Sequence, residues 1–112
     1  MEVDVSFHGN VTRVRIKGRI VDGKSAEQLK QTLAKLVQEG KLNTIFDVWE
    51  VSWFDSLGIG ILVAHYISVA SRGGRVMILG ANKKVRQIVE MVRLADRFGW
   101  CWDLDEALAW FR

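Results

Sequence analysis

The sequence predicts one α/β domain over residues 1–112, with a mixed, mostly parallel central β-sheet and four helices in the order ββαβαβαβα. Three observations carry this. Apolar residues alternate from Val3 to Ile16 and are interrupted at Gly9-Asn10, a two-residue hairpin signal. Helical apolar stripes then alternate with short apolar runs, the pattern of strand–helix–strand units with parallel strands and right-handed crossovers. A chain of 112 residues, 49% apolar and 26% charged, suits a single compact core with no second domain.

The elements follow in order. Val3, Val5 and Phe7 alternate with Glu2, Asp4, Ser6 and His8, as in a half-buried strand. Val11 to Lys17 returns as its antiparallel partner, with Thr12, Val14 and Ile16 on one face and Arg13, Arg15, Lys17 and Arg19 on the other. Asp22-Gly23-Lys24 is a loop, and Ser25 with Gln28 reads as a capping box that starts a helix. Ala26, Leu29, Leu33, Leu36 and Val37 form that helix's apolar stripe, and Gly40 ends it. Thr44 to Val48 is a third strand, which residues 49–54 either continue or connect onward.

Ser56 to Arg72 is a second helix, apolar nearly all round, which predicts packing on several sides with Gly58, His65, Ser68 and Arg72 as its narrower small or polar side. Gly73-Gly74 breaks it, and Val76-Met77-Ile78-Leu79 reads as a strand covered on both faces. Asn82 caps a third helix carrying Val85, Ile88, Val89 and Val92. A short strand at Trp100-Cys101-Trp102 precedes a last helix, with Asp103 and Glu106 as its capping pair and Leu104, Leu108 and Phe111 as its apolar face. No internal repeat, linker or low-complexity segment interrupts this order.

Composition removes several function classes. The longest apolar run, Ile59 to Ala64, is too short to cross a bilayer, so no membrane insertion is expected. An acidic start at Met1-Glu2-Val3-Asp4 is unlike an export signal, and the single cysteine, Cys101, forms no internal disulfide; a cytoplasmic location is the expectation. His8 and His65 are far apart, without metal-ligand spacing, and no phosphate-binding glycine pattern is present; neither a metal nor another cofactor is expected. A net charge of +3 is modest, and no aromatic residues interleave with the basic row, which argues against direct nucleic-acid binding and for a solvated sheet face. No serine–histidine–acid arrangement can be argued from spacing, so the chain does not read as an enzyme.

The stretch that carries chemistry is Asp55-Ser56-Leu57-Gly58-Ile59-Gly60. It sets a hydroxyl beside a carboxylate where a helix begins. Ser56 there either caps the helix or offers its hydroxyl to a partner for phosphorylation.

With the order ββαβαβαβα around it, this hexapeptide resembles the STAS domain, and within that superfamily the bacterial anti-sigma-factor antagonists, whose pattern is Asp-Ser-Ser/Thr-Gly-Leu/Ile-Gly after an aromatic or apolar residue. Phe54, Asp55, Ser56, Gly58, Ile59 and Gly60 match, and Leu57 replaces the common second hydroxyl. Gly18-Arg19-Ile20-Val21-Asp22 resembles the family's Gly-Glu-Leu-Asp loop, with Asp22 in the acidic position and Arg19 in place of the usual glutamate.

The resemblance implies a regulatory switch. Ser56 would be phosphorylated by a serine kinase that is itself the anti-sigma factor, and a phosphatase would reverse it. Asp22, Asp55, Ser56, Leu57 and Gly58 would form the partner-binding surface. The alternative within the superfamily is a phosphorylation-independent binding module of an anion transporter or a lipid-transport ATPase complex. The oligomeric state is left open.

Overall fold

The computed structural model describes residues 1–20 and 23–112. Five strands form one sheet in the order β1-β2-β3-β4-β5: β1 Glu2–His8, β2 Val11–Ile20, β3 Asn43–Phe54, β4 Val76–Leu79 and β5 Gly99–Cys101. The β1–β2 pair is antiparallel, turning at Gly9 with φ 63°, and every other pairing is parallel. The connecting helices are α1 Lys24–Gln38, α2 Ser56–Ala70, α3 Lys83–Met91 and α4 Leu104–Trp110, with a short 3-10 turn at Ala95–Arg97.

Two apolar layers hold the sheet. One face carries Val14, Ile16, Phe46, Val48 and Ile78 against Leu29 and Leu33 of α1, Ile61 and Leu62 of α2, and Val85 and Val89 of α3. The other face is covered only over Val11, Ile45, Met77 and Leu79, by α4 through Ala107. The predicted order, antiparallel hairpin and fully buried β4 are all present. Residues 49–54 continue β3, with register shifts against β2 between Arg15 and Lys17 and between Gly18 and Arg19.

Three local expectations need correction. Ser25 and Gln28 form no capping box: α1 starts one residue earlier, and Gly23 occupies the N-cap at φ 133°, a conformation that favours glycine, with no side-chain cap. The last strand stops at Cys101, and Trp102 lies outside it, 58% exposed. The second helix ends at Ala70, before Arg72, and its sides are not divided as expected: Leu57 and Ile67 are exposed, while Gly58 and His65, expected on the small or polar side, are buried. Its apolar character therefore extends onto its solvent side.

The helix C-terminus of α1 does follow its signal. Gly40, with φ 75°, donates to Val37 O, and Lys41 donates to Leu36 O, so glycine completes a Schellman motif.

Candidate functional site

The site is assembled where β3 hands over to α2. Phe54 is fully buried and anchors the end of the strand. The next residue, Asp55, is in extended conformation, and its Oδ1 accepts the Gly58 N–H at 2.9 Å, closing the first turn. Asp55 is thus the N-cap, and Ser56 is the first helical residue. This corrects the capping reading of Ser56: the carboxylate caps, so the hydroxyl is not needed for it.

Ser56 and Leu57 are exposed, and Gly58 is buried beneath them. Of the two glycines, Gly60 is the open one, with no atom within 4 Å of where a Cβ would stand. Asp22 lies outside the described residues. The chain enters that loop beside the site, since Ile20, the last residue of β2, pairs with Phe54.

Ser56 lies on the wall of a groove of about 500 Å³ between α1 and α2. Leu33, Ala34 and Val37 line one side; Leu57, Ile61 and Ala64 line the other. The sequence reading missed this groove because it needs two helices placed side by side. The available signal was the absence of any charged residue from Ser56 to Ala70, although that helix has exposed positions.

His65 also lines the groove and is 3% exposed. Its Nε2 shares a hydrogen bond of 2.8 Å with the Thr44 hydroxyl, and its ring meets Phe46 edge-on at 5.4 Å. Nδ1 is buried with no hydrogen-bond partner among the described residues. Desolvation by burial lowers the imidazole pKa from 6.5 to about 4, so His65 is neutral at pH 7 and suited to packing.

The basic row on β2 differs from a solvated face. Arg13 places Nε and Nη2 on the Oδ2 of Asp47, a carboxylate buried on β3. Arg15 and Lys17 both approach Glu50. Cys101 is half-buried beside α4, and burial pushes its thiol pKa up, away from nucleophilic character. Among the described residues no group of three or more His, Cys, Asp or Glu side chains could hold a metal ion, and no helix is long and apolar enough to cross a membrane.

Comparison with known proteins adds the decisive observation: the model of the STAS domain matches residues 2–107. The chain belongs to the STAS domain family. This STAS domain is 29% identical over 96 residues to the anti-sigma-B factor antagonist of Bacillus subtilis, an alignment spanning 86% of each chain. Its fold superposes on the crystal structure of an anti-sigma factor antagonist from Mycobacterium paratuberculosis with a TM-score of 0.82 and 25% identity, over 96% of this chain and 91% of the other. The Bacillus cell fate determinant SpoIIAA in its phosphorylated form gives a TM-score of 0.83 at 17% identity, over 99% and 100% of the two chains. That last likeness concerns the fold.

Proposed function

We propose that this STAS domain is an anti-sigma-factor antagonist: a cytoplasmic binding protein, not an enzyme, that docks a serine-kinase anti-sigma factor and is switched off by phosphorylation of Ser56. The observation that carries the reading is the division of labour at the start of α2. Asp55 holds the helix end, which leaves the Ser56 hydroxyl exposed on a rigid first turn. Its curated relatives, named as anti-sigma factor antagonists, support the same reading.

The physical consequences are coherent. A phosphate on Ser56 adds about −1.5 to −2 charges. The exposed N–H groups of the first helical turn and the helix dipole accommodate that charge, so the domain stays folded. A partner surface fitted to a neutral hydroxyl beside Asp55 does not accommodate it; like-charge contact at an interface costs several kcal/mol. Leu57 supplies an exposed apolar contact, Asp22 an acidic one, and Gly58 the N–H that Asp55 caps beneath the Ser56 turn. A phosphatase acting on the exposed phosphoserine restores the binding form.

The test uses the purified partner kinase and isothermal titration. Ser56→Ala binds within about threefold of the native chain, and Ser56→Asp binds at least about tenfold more weakly with an unchanged far-UV spectrum. Equal affinities for the two variants would contradict the switch.

A further inference from the structure

The groove between α1 and α2 has two unlike parts. Each helix connects parallel strands on the same side of the sheet, so the two run in the same direction. Arg72, just past the end of α2, donates to Val37 O near the end of α1, which ties their C-terminal ends together. The lining residues earliest in each helix, Lys30 and Ser56, therefore mark one end of the groove, and Val37 and Ser68 mark the other. Between them the walls are aliphatic.

We propose that this groove binds a single-chain amphiphile with an anionic head, of the fatty-acid class. The tail lies between the aliphatic walls of α1 and α2, and the head sits at the Lys30–Ser56 end. Size fits: small-ligand pockets span roughly 300–1,000 Å³, and Ser56 to Ser68 covers about 18 Å of helix, enough for an extended acyl chain. Gly60 and Ala64 keep the floor low, so a chain can lie against the helix.

Charge selects the head. Lys30 supplies an ammonium group, and the first turn of α2 supplies backbone N–H groups and the positive end of its dipole. None of the lining residues is acidic. Two acids flank the head position: Asp55 keeps its charge while it accepts the Gly58 N–H, and Glu27 forms an exposed ion pair of 3.8 Å with Lys30, so the head is held by Lys30 and the free N–H groups of the first turn against them. At 53% exposed, Lys30 exchanges that loose contact for a carboxylate head at little cost. His65 lines the groove midway and is neutral, so it adds no charge that would compete with Lys30 for the head.

Ligand binding is independent of the phosphorylation reading. If that reading holds, the head and a phosphate on Ser56 compete for one end of the groove, and the amphiphile becomes a second input to the switch.

The test is titration calorimetry of the full chain with sodium dodecanoate, kept below its micelle concentration, alongside amide chemical-shift mapping. The expected result is saturable one-to-one binding, with shifts confined to residues 30–37 and 56–68. Ala64→Phe, which fills the exposed groove floor, weakens binding at least about tenfold, and Lys30→Gln about threefold to tenfold. Dodecyltrimethylammonium, with the opposite head charge, binds at least about tenfold more weakly than dodecanoate. Non-saturable uptake, shifts elsewhere, or an affinity indifferent to Ala64→Phe would overturn the proposal. So would absence of dodecanoate binding, and a loss of kinase binding in Ala64→Phe would then assign the groove to the protein partner. These outcomes do not depend on whether Ser56 is ever phosphorylated.

Discussion

Asp55 and Ser56 share one helix start and do different work there. Asp55 closes the first turn through the Gly58 N–H. Asp55→Ala therefore costs at least about 1 kcal/mol of stability, while Asp55→Asn, which keeps an acceptor oxygen, retains most of it; urea unfolding measures both. His65 sets a pH dependence. The unfolded imidazole titrates near 6.5 and the folded one near 4, so between these values the unfolded chain binds more protons. Stability is full above the unfolded value and falls as the pH drops through this window, by roughly 3 kcal/mol in total. Urea midpoints measured from pH 7 to pH 4 reveal the slope, and His65→Gln flattens it. At the half-buried ion pair, Arg13→Ala leaves the buried Asp47 carboxylate without its partner and costs about 2 kcal/mol or more, beyond what a solvated surface arginine would.

At the scale of elements, what the sequence made visible depended on period. β2 alternates from Val11 to Ile16, so its faces were readable there, and Asn82 and Asp103 cap α3 and α4 as their positions suggest; β1 alternates in sequence, but as an edge strand it leaves Val5 and Phe7 exposed, against the half-buried expectation. α2 is different. Its apolar residues run all round, so the pattern reveals a helix but not which side meets the sheet; Leu57 and Ile67 are exposed because α1 and the sheet cover only part of it. The continuation of β3 past Val48 was open for a related reason. Register shifts break its alternation, and Trp49 turns outward onto Gly80 and Trp102. Gly80 has φ 78°, and a Cβ there would lie 2.4 Å from the Trp49 ring. Gly80→Ala combines left-handed strain with a steric clash, costs about 2 kcal/mol or more, and shifts tryptophan fluorescence as Trp49 is displaced.

For the whole molecule, the sheet brings the C-terminal ends of β2 and β3 together, so Ile20 pairs with Phe54 and the chain leaves β2 beside the Ser56 turn. The sequence alone pointed to Ser56 as the proposed phosphoacceptor, with Asp55 beside it, through resemblance to a family pattern. It could not supply the groove, which exists only once two parallel helices are laid on one sheet face. The aromatic residues absent from the basic row of β2 likewise come from the neighbouring strand, where Trp53 pairs with Arg19. Because the proposed modification site is an exposed first turn on a packed scaffold, the proposed switch requires no unfolding. The phosphorylated chain keeps a cooperative thermal transition within a few degrees of the native one, as a charge change worth about 1 kcal/mol at a helix terminus allows.

The central claim is that Ser56 is a phosphoacceptor used in the cell. Intact-mass and fragment-ion mass spectrometry of the protein isolated from its native cells, growing and stressed, tests it most directly. The account predicts a phosphate localised to Ser56 whose occupancy changes between the two conditions. An unmodified Ser56 in both would contradict it and leave that residue as the exposed first position of a helix capped by its neighbour.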